Sequence, residues 1–240
     1  IWTLFLCMEA CGEGGVTVVV CDRPNPINGV SVEGEPQSPG YLSFVGLHPL
    51  PLRHAKTIGE LARQFREERF PGCRLEVLPM KGWERVMWHD QTGLPWVMPS
   101  PNMPTLETAT VYPGMCLLEG TNLSEGRGTT RPFELFGAPW VDSGRLVKLL
   151  GGLGLPGVRF REASFEPTFQ KHRGELCHGA QLHVTSRADF LPVHTGFEII
   201  RLVREQWPEQ FAWKEPPYEY EYEKLPIEIL AGGPVEKIFS

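Results

Sequence analysis

Val16-Thr-Val-Val-Val-Cys21, followed at once by Asp22-Arg-Pro-Asn-Pro26, is the stretch of sequence that decides the fold. A continuous apolar run rich in β-branched residues indicates a strand that is buried on both faces of a parallel sheet. Two prolines within three residues then end the strand sharply. Because ligands bind beyond the carboxyl ends of the strands in open α/β sheets, Asp22 is a candidate site residue.

A helix is predicted to follow the next long loop. Thr57 has Glu60 three residues after it, which is the pattern of a capping box. Apolar residues recur on one face of residues 58–69, and Pro71-Gly72 ends the helix. A short strand is predicted at residues 74–79. Strand, helix and strand within about 60 residues are typical of a βαβ unit in an open parallel sheet.

The pattern changes further along the chain. A short helix is predicted at residues 105–112 and a buried strand at residues 115–118, directly before Glu119. The later segments indicate a smaller α+β unit, with helices and strands predicted at 142–150, 158–169, 180–185 and 195–206. The tail at residues 218–223 alternates tyrosine and glutamate, which is typical of an edge strand or an extended clamp.

The amino-acid composition argues against some classes of function. The 240 residues are 41% hydrophobic and 22% charged, and the formal net charge is −6. A mildly acidic chain without a long basic run is a poor candidate for binding nucleic acid. The sequence contains no run of about 18 or more apolar residues, so we expect no membrane span. The cysteines form no CxxC pair, which favours buried free thiols over a disulfide framework.

The first residues are apolar, but no basic residue precedes them, and Glu9 and Glu13 follow at once. This order argues against a signal peptide. A helix that runs to the glycines at residues 12–15 is the better interpretation. Since the chain starts inside this helix and without an initiator methionine, we expect it to be a fragment whose N-terminal part is missing.

Two loops carry the candidate chemistry. The loop after the first strand offers hydrogen-bonding side chains, among them Arg23, Asn25 and Glu33. The loop from residue 119 to 131 is denser, and its polar side chains include Glu119, Asn122, Glu125, Arg127 and Arg131. Its glycines let the backbone approach a ligand closely. The alternative is that the polar groups of each loop bond only to one another.

Three isolated residues are weaker candidates. Trp88 belongs to a tryptophan-rich loop at residues 83–96, which would either stack on a sugar ring or fill a gap between domains. Asn102 is held between prolines, and His54 lies beside Arg53 in a long loop.

Two apparent motifs predict neither a cofactor nor a metal. The letters of Gly152-Leu-Gly-Leu-Pro-Gly157 match a dinucleotide-binding motif, but the segment follows a predicted helix and precedes a predicted strand, which is the reverse order. His172, Cys177, His178 and His183 lack the paired spacing of metal ligands.

Several long motifs appear in a characteristic order. They are Asp22-Arg-Pro-Asn-Pro26, Phe44-Val-Gly-Leu47, Met80-Lys-Gly-Trp83, Gly93-Leu-Pro-Trp96, Pro99-Ser-Pro-Asn-Met-Pro-Thr105, Leu118-Glu-Gly-Thr-Asn122 and Ser124-Glu-Gly-Arg-Gly-Thr-Thr-Arg-Pro-Phe-Glu134. Together they closely resemble the NamZ-type exo-β-N-acetylmuramidases of bacteria. The resemblance runs from the first helix through Lys224-Leu-Pro226.

The resemblance implies an α/β fold in two parts. Residues 1–128 would form the C-terminal part of a Rossmann-like domain whose parallel sheet is incomplete at its N-terminal side, and residues 129–240 a smaller α+β domain, with the site in the cleft between them. It also implies release of N-acetylmuramic acid from the non-reducing end of peptidoglycan fragments, and a periplasmic or secreted location. Family members carry a preceding segment with a Glu-His pair, which this chain lacks.

Glycoside hydrolysis usually requires two carboxyl groups, and Glu119, Asp22 and Glu125 are the candidate catalytic carboxylates. Arg127 and Arg131, with Arg23 behind them, suit the lactyl carboxylate of N-acetylmuramic acid because a guanidinium binds a carboxylate in a bidentate manner. The remaining predicted substrate contacts are Asn25, Glu33, His54, Trp88, Asn102 and Asn122. The alternative function is a non-catalytic module that binds carbohydrate or a nucleotide sugar.

Overall fold

The computed structural model describes residues 1–239, which group into two compact units. The first unit comprises Ile1–Val32 and His54–Trp96, and the second comprises Glu33–Arg53 and the chain from Val97 onward. We call them the N-terminal unit and the C-terminal unit. The compact units therefore place residues 33–53 and 97–128 with the C-terminal part. The domain boundary between residues 128 and 129 stays a prediction.

The N-terminal unit is built on a parallel pair of strands. Strand β1 (Val18–Cys21) pairs with β2 (Leu75–Leu78), and helix α2 (Ile58–Glu68) connects them. Thr57 and Glu60 form the predicted capping box at the start of α2. Helix α1 (Trp2–Glu13) contributes Phe5, whose ring meets that of Phe65 edge-to-face at 5.1 Å.

Strand β1 is not buried on both faces, so that prediction was wrong. Val20 is buried, whereas Val19 is 54% exposed and Cys21 is exposed. The β-branched run reflects strand propensity here, because propensity measures the fit to a pleated, half-buried surface and not burial itself.

The C-terminal unit contains a three-stranded antiparallel sheet in the order β3-β5-β4. Its strands are β3 (Leu135–Ala138), β4 (Val158–Phe165) and β5 (Cys177–Val184), and its helices are α3 (Leu106–Met115), α4 (Ser143–Gly152), α5 (Pro192–Gln206), α6 (Pro226–Ala231) and α7 (Val235–Ile238). The core lies between this sheet and α3, α4 and α5, and it includes fully buried Leu118, Phe136 and Ile199.

The predicted strand at residues 115–118 is wrong. Helix α3 ends at Met115 and continues directly into a 3₁₀ helix, Cys116–Gly120. The packing of α3 explains its apolar character: a Cβ on Gly114 would lie 1.7 Å from the carbonyl oxygen of Pro192, so α3 and α5 meet backbone to backbone. A short apolar run does not distinguish a buried strand from a buried helix. Glu119 therefore lies in a 3₁₀ helix and not at the end of a strand.

The parallel pair followed by a separate antiparallel sheet confirms the α/β class with a second α+β part. The tail at residues 218–223 forms a tight turn and not an edge strand, since Tyr218 and Glu221 bridge only to each other. Among residues 1–239, no helix is long and apolar enough to cross a bilayer.

Candidate active site

Asp22 lies directly after β1, as predicted, but its carboxylate has a structural role. One oxygen accepts the backbone N–H of Gly59 at 2.8 Å, and the other accepts the hydroxyl of Thr57 at 3.0 Å. Both donors belong to the start of α2, where backbone N–H groups have no partner within the helix. Asp22 therefore anchors α2 to the end of β1.

Glu33 has an equivalent role in the C-terminal unit. Its carboxylate pairs with buried Arg53 at 2.9 Å and accepts the backbone N–H of Val193 at 3.1 Å. Val193 lies in the first turn of α5, and the N-cap residue of that helix, Leu191, offers no side-chain cap. Glu33 thus supplies a cap from a distant loop, and the carboxylate also suits the positive end of the helix dipole.

Asn25 and His54 stabilise their own loops in the N-terminal unit. The Asn25 side chain accepts the N–H of Ile27 and donates to the carbonyl of Lys56. His54 Nδ1 accepts the N–H of Lys56 at 3.0 Å. Burial, with the nearby charges of the N-terminus and Lys56, lowers the pKa of His54 to about 4, so the imidazole is neutral at pH 7.

Glu119 is the centre of a polar cluster in the C-terminal unit. Its Oε1 accepts a hydrogen bond from Arg127 at 2.8 Å, and its Oε2 accepts one from the Tyr218 hydroxyl at 2.7 Å. The Glu119 side chain is 14% exposed and that of Arg127 is 24% exposed. The cluster is therefore held rigidly and still reaches the surface of the unit.

Arg127 links Glu119 to a second, buried carboxylate. Its Nε lies 3.4 Å from Glu125, whose side chain is only 3% exposed. Its guanidinium also lies over the ring of Phe133, 5.1 Å from the ring centre. The negative charges of Glu119 and Glu125 outweigh the effect of burial and raise the pKa of Arg127. Arg127 is thus a fixed cation shared by two glutamates.

Tyr218 was missed as a site residue by the sequence analysis. It begins the tight turn at residues 218–221, in which Glu219 and Tyr220 have φ angles of 45° and 66°. Two consecutive non-glycine residues with positive φ are strained, which is a feature often found at functional sites. Burial and the adjacent Glu119 raise the pKa of Tyr218, so its hydroxyl stays protonated and acts as a donor.

Glu134 and Arg131 form a neighbouring pair. Glu134 is buried; its Oε1 accepts the hydroxyl of Thr108 at 2.8 Å, and its Oε2 lies 3.4 Å from Arg131. The Arg131 side chain is 48% exposed. Glu134 therefore orients a guanidinium that is about half exposed.

The remaining predicted substrate contacts are Asn122, Arg23, Trp88 and Asn102. The Asn122 amide joins two distant segments, since it donates to the carbonyl of Gln210 and accepts the N–H of Ala212. Arg23 is exposed, whereas Trp88 and Asn102 are partly buried. Trp88 pairs through its backbone with Ile27 inside the N-terminal unit. No group of three or more metal-ligating side chains was found among residues 1–239.

Comparison with known proteins now identifies the chain. Residues 110–236 match the family described as exo-β-N-acetylmuramidase NamZ, C-terminal, and residues 1–107 match its N-terminal counterpart. The chain belongs to the NamZ family. This confirms the resemblance predicted from the motifs.

One curated relative is the peptidoglycan β-N-acetylmuramidase NamZ of Bacillus subtilis (strain 168). It is 54% identical to this NamZ-family chain over 211 residues, which are 88% of the chain and 51% of the relative. The chain thus spans about half the length of the curated relative that it matches.

Two crystal structures of DUF1343 family proteins from Bacteroides fragilis share the fold of this NamZ-family chain. The first has a TM-score of 0.85 and 32% sequence identity, and the match covers 96% of this chain and 60% of the chain in that crystal structure. The second has a TM-score of 0.68 and 24% sequence identity, and the match covers 96% of this chain and 59% of the chain in that crystal structure. The second likeness concerns the fold alone.

Proposed function

We propose that this protein is an exo-β-N-acetylmuramidase, which releases N-acetylmuramic acid from the non-reducing end of peptidoglycan fragments. Membership of the NamZ family supports this activity, and the bonds of Glu119 to Arg127 and Tyr218 are the observation that favours these residues as its site.

Glu119 is better suited to act on substrate than the other two candidate carboxylates. Asp22 has both oxygens bonded at the start of α2, and Glu125 is enclosed between two cations. Both oxygens of Glu119 are bonded as well, but its donors are the side chains of Arg127 and Tyr218 and not the start of a helix. An ionised carboxylate in this position serves as the base or the nucleophile of a glycosidase.

Tyr218 and Arg127 would hold and orient that carboxylate. Because the tyrosine hydroxyl stays protonated, it donates to Glu119 and fixes the orientation in which the carboxylate would meet the sugar or a water molecule. The exposed guanidinium of Arg131, oriented by Glu134, is suited to binding the lactyl carboxylate of N-acetylmuramic acid.

The second candidate function is a non-catalytic carbohydrate-binding module. The observation in its favour is that both oxygens of Glu119 already have partners, as a purely structural carboxylate would. Turnover separates the two functions. A catalyst must hydrolyse a glycosidic bond, whereas a module binds the sugar and leaves the bond intact.

The test is hydrolysis of a chromogenic β-N-acetylmuramide by the full-length protein, beside the matched β-N-acetylglucosaminide. We expect turnover of the muramide only. Arg131→Lys keeps the charge and loses the planar fork, so it should raise KM for the muramide several-fold. Binding of the muramide without turnover would favour the module. A KM for the muramide that Arg131→Lys leaves unchanged would exclude Arg131 as the contact for the lactyl group.

A further inference from the structure

The ammonium group of Lys171 occupies a site made almost entirely of main-chain oxygen. Its Nζ donates to the carbonyls of Leu118 at 2.8 Å, Thr121 at 2.9 Å and Leu123 at 2.7 Å. These three bonds use all the protons of an ammonium group. The carboxylate of Glu125 lies 2.8 Å away on the same nitrogen and completes the site as an ion pair.

The segment that presents Lys171 has an unusual backbone. Gln170 and His172, on either side of it, have φ angles of 67° and 56°. His172 Nε2 also lies 2.8 Å from the carbonyl oxygen of Asn122, so the segment is fixed to the same loop at a second point. Strained conformations at two non-glycine residues indicate that the position of this lysine is strongly specified.

The site encloses the segment that carries Glu119. Leu118 directly precedes Glu119, and Thr121 and Leu123 follow it, so the ammonium gathers the carbonyls on both sides of this residue. On its other side the ammonium contacts Glu125, which contacts Arg127, which in turn binds Glu119. Lys171 is therefore connected to Glu119 in two ways, through the backbone and through a chain of charged side chains.

We propose that Lys171 is a positioning residue: a tethered cation in a carbonyl cage that sets the geometry of Arg127 and Glu119. Burial lowers the pKa of Lys171, and the negative charge of Glu125 opposes that shift and favours the cation. The inference rests on the proposed function for its effect on turnover. The cage itself does not depend on that function.

Because the cage consists of carbonyl oxygens and one carboxylate, it should accept a small primary ammonium ion when the lysine is shortened. The experiment uses Lys171→Ala in the full-length protein, with ethylammonium supplied in solution and tetramethylammonium as a cation without N–H donors. Lys148→Met removes an exposed lysine of α4 in the same unit and is the matched control.

We expect Lys171→Ala to lower kcat on the chromogenic muramide by about 10- to 100-fold, because small misplacements of an active-site group have effects of this size. Ethylammonium should restore both kcat and the melting temperature in a saturable manner, and tetramethylammonium should restore neither. Lys148→Met should match the parent protein in both measurements.

A second variant tests the chain of charges with the lysine in place. Glu125→Gln should keep the carbonyl cage and still lower kcat, because the contact from Lys171 to Arg127 is interrupted. It also remains informative if Lys171→Ala does not fold.

The outcomes separate the inference from the proposed function. If the parent protein shows no turnover, the proposed function fails, while recovery of the melting temperature by ethylammonium still supports the cage. If ethylammonium restores the melting temperature of Lys171→Ala and kcat never falls, the positioning role is wrong. No recovery by ethylammonium in either measurement overturns the cage.

Discussion

The loop after β1 and the loop after the 3₁₀ helix at Cys116–Gly120 contain similar side chains, but these side chains have different roles. Each begins near a carboxylate and carries arginine and asparagine. In the first, Asp22 is bonded to Thr57 and Gly59 at the start of a helix. In the second, Glu119 is bonded to Arg127 and Tyr218 and keeps a partly exposed side chain.

The difference shows that the partners of a carboxylate decide its role more than the composition of its loop. Helix N–H groups bind a carboxylate oxygen as part of the fold, so Asp22 contributes to stability. At Glu119 the donors are instead the side chains of Tyr218 and Arg127, and we propose that this arrangement leaves the carboxylate able to meet a ligand.

Glu119→Gln compared with Asp22→Asn gives the sharpest test. If Glu119 acts as a base or nucleophile, Glu119→Gln should lower kcat/KM on the muramide by about 10² to 10⁴ while the urea unfolding curve stays unchanged. Asp22→Asn should show the opposite pattern, with lower stability and nearly normal turnover per folded molecule. A normal kcat/KM for Glu119→Gln would move the carboxylate role to Glu125 or outside this loop.

Tyr218→Phe should have the next largest effect. The variant removes one hydrogen bond to a charged group, which is worth about 1.5–3 kcal/mol, so we expect kcat to fall by about one to two orders of magnitude. Tyr222→Phe, which removes an exposed hydroxyl from the same tail, is the control and should resemble the parent protein. Equal kinetics for the two variants would mean that Tyr218 does not orient Glu119.

Asp22→Ala should destabilise the N-terminal unit. The lost bonds to the start of α2 suggest a decrease of about 1–2 kcal/mol in the free energy of unfolding, measured by urea denaturation. Arg23→Ala, at the exposed neighbouring residue, should leave that free energy within about 0.5 kcal/mol of the parent value. A stability loss of the same size in both variants would show that Asp22 does not anchor α2.

The stability of the folded chain should also depend on pH through His54. Its pKa is about 4 in the folded chain and ordinarily 6.5, so the unfolded chain binds a proton first as the pH falls. The folded protein should therefore lose stability between about pH 6.5 and 4, by at most about 1.4 kcal/mol per pH unit.

His54→Gln should flatten that part of the stability curve, because glutamine does not titrate. The charges facing His54 are those of the N-terminus, Lys56 and Glu60, and none of them is altered by the variant. An identical pH dependence in the variant and the parent protein would show that His54 does not contribute to it.

The sequence by itself determined the βαβ unit and the two polar loops. The capping box of Thr57 and Glu60 is a local pattern, because both of its hydrogen bonds join residues three apart. The order of the family motifs is likewise a property of the sequence. These features could be predicted because the pattern of residues close together in the sequence indicates them.

Only the tertiary structure decided what the residues of the loops do. Tyr218 meets Glu119 across 99 positions of sequence, and Lys171 meets Leu118 across 53. No local pattern encodes such pairs, because they depend on how distant turns pack. The residues before Glu119 were predicted as a strand for the same reason: a short apolar run is compatible with either element, and the close packing of Gly114 on α5 favours the helix.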